Sequence, residues 1–258
     1  MYVGLAWHFW NTRWRRAGRT GLRGWERAAI LVPLVVHGWL LYHGIFGKEL
    51  RFGFAQALSV MMFIGVALYW VESLFYSVEG MQPLLLPLAA AAAPLPALFP
   101  GLASSGAHAQ AAEFKLHLAL AMIAYGLFVI ALLHATLMAL AERQLHRKGG
   151  VAFPSLPPLL TLEALLFRMI GAAFVFLTLT LATGIAFSET LFGRALRFDH
   201  KTVFAVSSWA IFASLLAGRW RYGWRGRTAL RWTFSGFVML LLAYVGSRFV
   251  LEVLLGRS

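Results

Sequence analysis

The sequence predicts an all-α protein, a polytopic bundle of transmembrane helices, and three observations support this fold class. Of its 258 residues, 60% are hydrophobic and 13% are charged, about half the charged fraction of an ordinary soluble domain. The mean hydropathy is +0.72. The apolar residues form long continuous runs, as in helices that cross a bilayer, and not the short alternating runs of a membrane β-barrel.

Seven runs are long enough for full spans, since a transmembrane helix needs about 20 mainly apolar residues. We place them at residues 28–46, 54–77, 81–99, 114–141, 164–187, 202–217 and 228–254. The opening segment, 1–9, is too short to span and resembles the end of a truncated first helix, which makes an eight-helix architecture. Pro87, Pro94 and Pro96 interrupt the third run and weaken it. We find no linker, so residues 1–258 are expected to form a single integral membrane domain.

The basic residues predict the orientation of the chain. Loops at 13–27, 142–168 and 219–231 hold 15 of the 23 lysines and arginines and fall on one side if the spans alternate. The positive-inside rule places that side in the cytoplasm and the C-terminus outside. The net charge of +13 does not indicate nucleic acid, because the charges cluster in short gaps between apolar runs. The charge pattern predicts a multi-pass membrane protein with its C-terminus on the outer side.

Cysteine is absent from the sequence. The chain therefore has no disulfide, no thiolate metal site and no C-x-x-C-H segment for covalent haem attachment, so it is not itself a c-type cytochrome. Any haem that it binds would be held without a covalent bond, as b-type haem.

Histidines on the predicted outer side are the main candidate ligands. His117 opens the fourth span and His200 precedes the sixth, at similar depth, so the two imidazoles are placed to hold one haem iron from opposite faces. The alternative is that both are interfacial histidines that bond water or loop carbonyls. Asp199, the only aspartate in the chain, either orients His200 and raises its basicity or is a charged cap on the helix that follows.

Other polar residues lie within the spans. His37 is in the first span and is a candidate ligand, a proton relay or a partner for a buried polar group. Glu72 lies in the second span, nearer the cytoplasm, and is either protonated or paired with a buried cation. His134 is 17 residues after His117, about 25 Å along a helix, so these two histidines belong to opposite leaflets.

Several stretches resemble the cytochrome c assembly family of haem-handling membrane proteins, the CcsA/HemX-like proteins, and most of all its YpjD-type inner-membrane branch. LVVHGWLLYHG, around His37, is similar to the second helix of that branch. FKLHLALAMIAYGLF, around His117, stands where the family places an outer haem-ligand histidine, and LRFDHKTVFAVSSWAIF stands at the family's haem-binding loop. The resemblance covers about residues 28–254 and implies haem binding in cytochrome c assembly.

The chain departs from the family pattern at two places. The tryptophans of the family's loop are replaced by phenylalanines, and Phe198 and Phe204 are the expected replacement surface for a porphyrin. The family's second outer histidine has no counterpart, so His200 is proposed here from its side and depth. Arg197 and Lys201 are the expected partners of the haem propionates.

The resemblance implies a non-enzymatic, multi-pass protein of a bacterial inner membrane that holds or moves haem toward the outer face. The C-terminus is then expected in the periplasm. The protein's expected partners are haem, the lipid bilayer, and either other cytochrome c maturation proteins or apocytochrome. Two alternatives stay open: a non-catalytic membrane scaffold or regulator, and a transporter of another small solute that uses His37 and Glu72 as its polar path.

Overall fold

The computed structural model describes residues 1–15, 22–46, 50–78, 80–101, 103–104, 111–145, 158–192 and 199–255, and nearly all of them are helical. The elements, in chain order, are α1 (Tyr2–Phe9), a π-helical turn (Trp10–Arg15), α2 (Gly24–Ile45), β1 (Leu50–Arg51), α3 (Phe54–Phe75), α4 (Gln82–Ala92), α5 (Leu95–Leu98), β2 (Ala103–Ser104), α6 (Ala112–Leu145), α7 (Leu159–Phe192), α8 (His200–Tyr222), α9 (Gly226–Leu241), a π-helical segment (Leu242–Gly246), α10 (Ser247–Phe249) and a last π-helical turn (Val250–Leu254). The predicted all-α class is confirmed.

Six helical segments are long and apolar enough to cross a membrane: Gly24–Ile45, Phe54–Phe75, Ala112–Arg143, Leu159–Phe187, His200–Tyr222 and Gly226–Leu254. The predicted span at 81–99 is the exception, because the apolar stretch Gln82–Leu98 is shorter and breaks between α4 and α5 at Pro94. The structure thus supports six full spans, and neither a seventh nor the truncation of the first helix is confirmed.

Helices that follow one another along the chain pack antiparallel. The indole N–H of Trp70, near the end of α3, donates to the carbonyl of Arg27, near the start of α2. In the same way Arg219, near the end of α8, lies 2.6 Å from Glu163, near the start of α7. The loops therefore alternate between two ends. We call the end that carries the α1–α2, α3–α4, α6–α7 and α8–α9 connections the basic end, and the other the opposite end.

The central element is α6, which packs against α3, α7 and α9. It runs parallel to α3, since Gly126 contacts Ile64 and His134 lies beside Glu72. Its inward face from Met122 onward is almost wholly buried and apolar. This helix therefore reaches from the opposite end to the basic end through the core, and its two histidines lie at different depths.

The opening helix is part of the bundle. α1 packs against α4 and α2, and its continuation brings Arg13 to 2.6 Å from Glu26 of α2. Both side chains are buried, and the carboxylate also accepts from the backbone N–H of Arg23 and lies 3.0 Å from Nε2 of His8. These bonds neutralise a buried arginine and fix the first segment at the basic end.

At the opposite end, two loops are joined. β1 pairs antiparallel with β2, and the Gln56 side chain accepts from the N–H of Gly53 and donates to the carbonyls of Phe99 and Pro100 at 3.2 and 2.7 Å. Gly101 adopts a φ of +73°, and a Cβ there would lie 2.7 Å from the Gln56 amide oxygen. Glycine is needed at this position both for its backbone conformation and for space.

Candidate functional site

The predicted ligand His117 lies at the opposite end, in the second turn of α6, and is half-buried. Its Nδ1 atom is 3.0 Å from the hydroxyl oxygen of Thr183 on α7. The neighbouring Gly184 makes room for the ring, because a Cβ there would lie 3.2 Å from Cε1 of the imidazole. The long antiparallel contact between α6 and α7 thus positions the ring.

The bonds of Thr183 determine which nitrogen of His117 carries the proton. The threonine hydroxyl has one proton, and its shortest bond, 2.8 Å, is to the carbonyl of Leu179 one turn earlier. Its oxygen therefore accepts from Nδ1–H of the imidazole. The backbone carbonyl of Thr180, which only accepts, is a second partner of the ring. With the proton on Nδ1, Nε2 keeps its lone pair, which is the form that a histidine needs in order to bind a metal ion.

Asp199 and His200 begin α8. Oδ1 of Asp199 accepts from the backbone N–H of Thr202 at 3.0 Å and from its hydroxyl at 3.1 Å, which is an N-cap. Burial opposes the charge of this carboxyl, but the two Thr202 bonds and the nearby Lys201 and His200 outweigh burial and lower its pKa. Of the two roles expected for Asp199, the structure shows the helix cap.

His200 itself is exposed and forms no hydrogen bond within the part of the chain that the structure describes. No contact among the described residues joins it to His117, although α8 packs against the same α7 that holds His117. Coordination of one haem iron by both imidazoles stays a prediction.

The remaining candidates around His200 have different outcomes. Arg197 and Phe198 lie outside the described residues. Phe204 is half-buried on α8. Lys201, also half-buried, interacts electrostatically with Arg248 of the last helical segment. We call Lys201 and Arg248 the cation pair.

Arg248 and Glu252 stand one helical turn apart in the sequence, and their contact in the structure is a loose one of 3.9 Å. The proximity of Arg248 to Lys201 was missed, since it depends on how the last segment packs against α8. The cation pair therefore places two interacting positive charges at the opposite end, one of them next to His200 in the chain.

His37 is enclosed and not placed as a ligand. Its Nδ1 is 3.3 Å from the hydroxyl of Tyr2 on α1, and its Nε2 is 2.8 Å from the hydroxyl of Ser59 on α3. Only 3% of the residue is exposed. Both ring nitrogens are occupied, so among the three roles considered for His37 the contacts favour a partner for buried polar groups.

Glu72 and His134 form a pair that sequence reasoning did not connect. Nε2 of His134 lies 3.0 Å from Oε1 of Glu72, and both residues are buried. The sequence identifies each of them as an intramembrane polar residue. Both lie in the half of the membrane nearer the basic end, and this shared depth is the sequence signal that could have suggested the pair. The relative rotation of α3 and α6 decides the pairing, and the sequence does not show it.

Comparison with known proteins gives a consistent result. The family model "Cytochrome C assembly protein" matches residues 25–255. The inner membrane protein YpjD of Escherichia coli is 34% identical over 138 residues, 54% of this chain and 52% of that protein. A protein of Azospirillum brasilense, described as an uncharacterized 28.8 kDa protein in the nifR3-like 5' region, is 37% identical over 142 residues, 55% of this chain and 52% of its own length.

A more distant likeness is to the cytochrome c biogenesis protein CcsA of Prochlorococcus marinus, which is 36% identical over 89 residues, 34% of this chain and 28% of that protein. The chain spans about half the length of the curated relatives that it matches best. No solved structure matches. The family model covers nearly the whole chain, including α2, α6 and the helices after it, and so this multi-pass helical membrane protein belongs to the cytochrome c assembly protein family.

Proposed function

We propose that this protein binds non-covalent, b-type haem at the opposite end of the bundle and handles it for cytochrome c assembly. The observation that supports the proposal most is the hydrogen bonding of His117. Its Nδ1–H is engaged by Thr183, its Nε2 keeps a lone pair, and Gly184 leaves room beside the ring. The residues present therefore suit an axial histidine.

The other residues at this end have matching roles in the proposal. His200, exposed at the start of α8, is the second iron ligand. Phe204 offers an aromatic surface for the porphyrin. The cation pair, Lys201 and Arg248, binds the propionates through charge-assisted hydrogen bonds. Haem itself supplies the prosthetic group that cytochrome c requires, and the protein needs no catalytic residue.

The orientation and partners follow from the same proposal. The basic end faces the cytoplasm by the positive-inside rule, so that the His117 site and the C-terminus face the periplasm, where cytochromes c are assembled. The chain would there deliver haem to apocytochrome or to another maturation protein. Its relatives support this: one is named a cytochrome c biogenesis protein and another an inner membrane protein.

An absorption spectrum of the protein purified in mild detergent and titrated with haem tests the proposal. We expect a Soret band typical of ligated haem, lost in His117→Ala and shifted in His200→Ala. His43→Ala is the matched control, because His43 is an exposed histidine near the same end whose Nδ1 bonds only the Trp39 carbonyl of its own helix. Equal spectra for wild type, His117→Ala and His43→Ala would refute the site.

The transporter alternative finds less support in the contacts. His37 is bonded to Tyr2 and Ser59, whereas Glu72 is paired with His134. On α3, Ser59 and Glu72 are 13 residues apart, about 20 Å. The two polar residues therefore belong to separate clusters and do not line one path.

A further inference from the structure

We propose that Glu72 and His134 form a proton-binding site inside the bundle, which holds one shared proton and exchanges it with water at the basic end. The proposal does not depend on haem binding and concerns the other end of α6. The pair is well enclosed, with 5% of Glu72 and none of His134 exposed, and Nε2 lies 3.0 Å from Oε1.

The number of protons follows from the hydrogen bonds. Nδ1 of His134 lies 2.9 Å from the carbonyl oxygen of Ile130. A carbonyl only accepts, so Nδ1 carries a proton. One further proton, on Nε2 or on the Glu72 carboxyl, makes the pair neutral overall. Two further protons or none would leave a net charge in an apolar interior, which is costly. The pair therefore holds one proton, which moves between imidazole and carboxylate.

The contact geometry is more typical of a site that exchanges a proton with water than of a pair that only stabilises the fold. The 3.0 Å contact has the distance of an ion pair but lacks the alignment of a hydrogen bond, and among the described residues neither carboxylate oxygen of Glu72 nor Nε2 of His134 has an aligned protein partner. Buried polar groups are normally satisfied by protein atoms or by ordered water. Here both groups keep the capacity to bond a water molecule.

A small cavity lies at the basic end, past Glu72 along the chain. It is lined by Tyr69, one helical turn before Glu72 on α3, by Ser73, and by Tyr76, which follows the end of α3, whereas Glu72 itself is not part of its lining. Its volume of about 10 Å³ is roughly the room that one water molecule needs, so a water there is placed to pass a proton along this side of α3. Tyr76 is 38% exposed, and its hydroxyl accepts from Arg168 at 2.6 Å. On the far side of the pair, Nδ1–H of His134 ends on a carbonyl, which passes no proton. The proton therefore enters and leaves from the basic end.

The surrounding charges act against a second proton. The ionisable groups near this level include two buried acids that are each paired with an arginine, Glu26 of α2 with Arg13 and Glu163 of α7 with Arg219. The others are Tyr69 on α3, Tyr76 just after it, Arg27 on α2, Arg168 on α7, and, toward the end of α6, Glu142 and Arg143 with Arg227 and Arg231 of α9. α4 contributes Gln82, which does not ionise. Most of these groups are cationic, and their field disfavours a net positive pair.

Infrared difference spectroscopy of the purified, haem-free protein tests the proposal. Bands of the shared proton, carboxyl or imidazolium, are expected in the wild type. They should vanish in Glu72→Gln. In His134→Gln they should be replaced by the single, shifted band of an isolated protonated carboxyl, because a lone buried Glu72 takes up a proton. The wild-type bands should shift soon after transfer to D₂O. Tyr76→Phe, which removes the hydroxyl at the cavity, should slow that shift several-fold, whereas Tyr42→Phe, at an exposed tyrosine of the opposite end, should leave it unchanged.

Three results would overturn the proposal: bands that are unchanged by either single substitution of the pair, bands that do not move in D₂O, or exchange that is equal in Tyr76→Phe and Tyr42→Phe. The tyrosine variants keep the pair intact, so the exchange measurement decides even where Glu72→Gln fails to fold. Because no haem is present, failure here leaves the His117 site untouched, and failure of haem binding leaves this site untouched.

Discussion

The two ends of α6 present the same side chain in contrasting environments. His117 and His134 are 17 residues apart, about 25 Å along the helix. The first is half-buried, with Nδ1 at the Thr183 hydroxyl and a lone pair on Nε2 in that tautomer. The second is fully buried, with one nitrogen on a carbonyl and the other at a carboxylate. The comparison teaches that the neighbouring helix, α7 in one case and α3 in the other, decides whether a histidine is available to a ligand.

The largest effect on the free energy of unfolding is expected at the Glu72–His134 pair. Glu72→Leu or His134→Leu alone leaves one buried polar group without its partner, which costs about 3–5 kcal/mol. The double variant removes both and should recover most of the loss. Thermal unfolding of the detergent-solubilised protein measures this. A double variant less stable than either single one would mean that the two residues do not interact.

The close approach of α3 and α6 holds that pair in place, and Gly126 allows it. A Cβ at this position would overlap the Ile64 side chain, so Gly126→Ala should destabilise the protein by about 1–3 kcal/mol through overpacking. Gly171, within α7, has no atom near the position of its Cβ. Gly171→Ala is the control and should gain about 0.5–1 kcal/mol in helix stability. Equal thermal shifts for both variants would contradict the close helix contact.

Substitutions near His117, at the opposite end, should change ligand binding and not stability. Thr183→Val keeps the shape of the side chain but removes the acceptor for Nδ1–H of His117, which should weaken haem binding about 10- to 100-fold. Thr180→Val, three residues earlier on α7, removes a hydroxyl that bonds only the Phe176 carbonyl of its own helix. Haem titration should separate the two variants, and equal affinities would remove Thr183 from the site.

The smallest effect concerns the cap of α8 next to His200. Asp199→Ala should cost about 1 kcal/mol, the usual value of an N-cap. Because the folded pKa of Asp199 is lowered, its contribution is present above its unfolded pKa of about 3.9 and is lost as the pH falls through the lower folded value. Hydrogen exchange of the first α8 amides at pH 7 and in acid measures this. Asp199→Asn caps without titrating, so it should remove the pH dependence, and a dependence that persists would contradict the assignment.

Sequence reasoning predicted the helical bundle well and the sites only in part. The apolar runs identified six spans of the structure, because length and hydropathy are properties of each segment by itself. The run at 81–99 was overestimated, since Pro94 breaks it into two short helices. His117 was singled out from its place in its span, but Thr183, which sets its tautomer, lies 66 residues further on and has no signal in the sequence.

The intramembrane residues show the same division. Glu72 and His134 were recognised as polar groups that need partners in a membrane, and their depth was inferred from their place in each run. Their pairing, and the separate enclosure of His37 by Tyr2 and Ser59, depend on which face each helix turns to its neighbour. The spans are apolar on most faces, so the pattern along the chain does not fix this rotation.

The sequence by itself determined that the chain is a membrane-embedded helical protein with its basic loops at one end, because the bilayer acts on each segment separately through its length, hydropathy and charge. Only the tertiary structure decided which histidine is enclosed, which keeps a free nitrogen, and which cations stand together. Those properties arise between helices, where a rotation of one residue, about 100°, exchanges one neighbour for another.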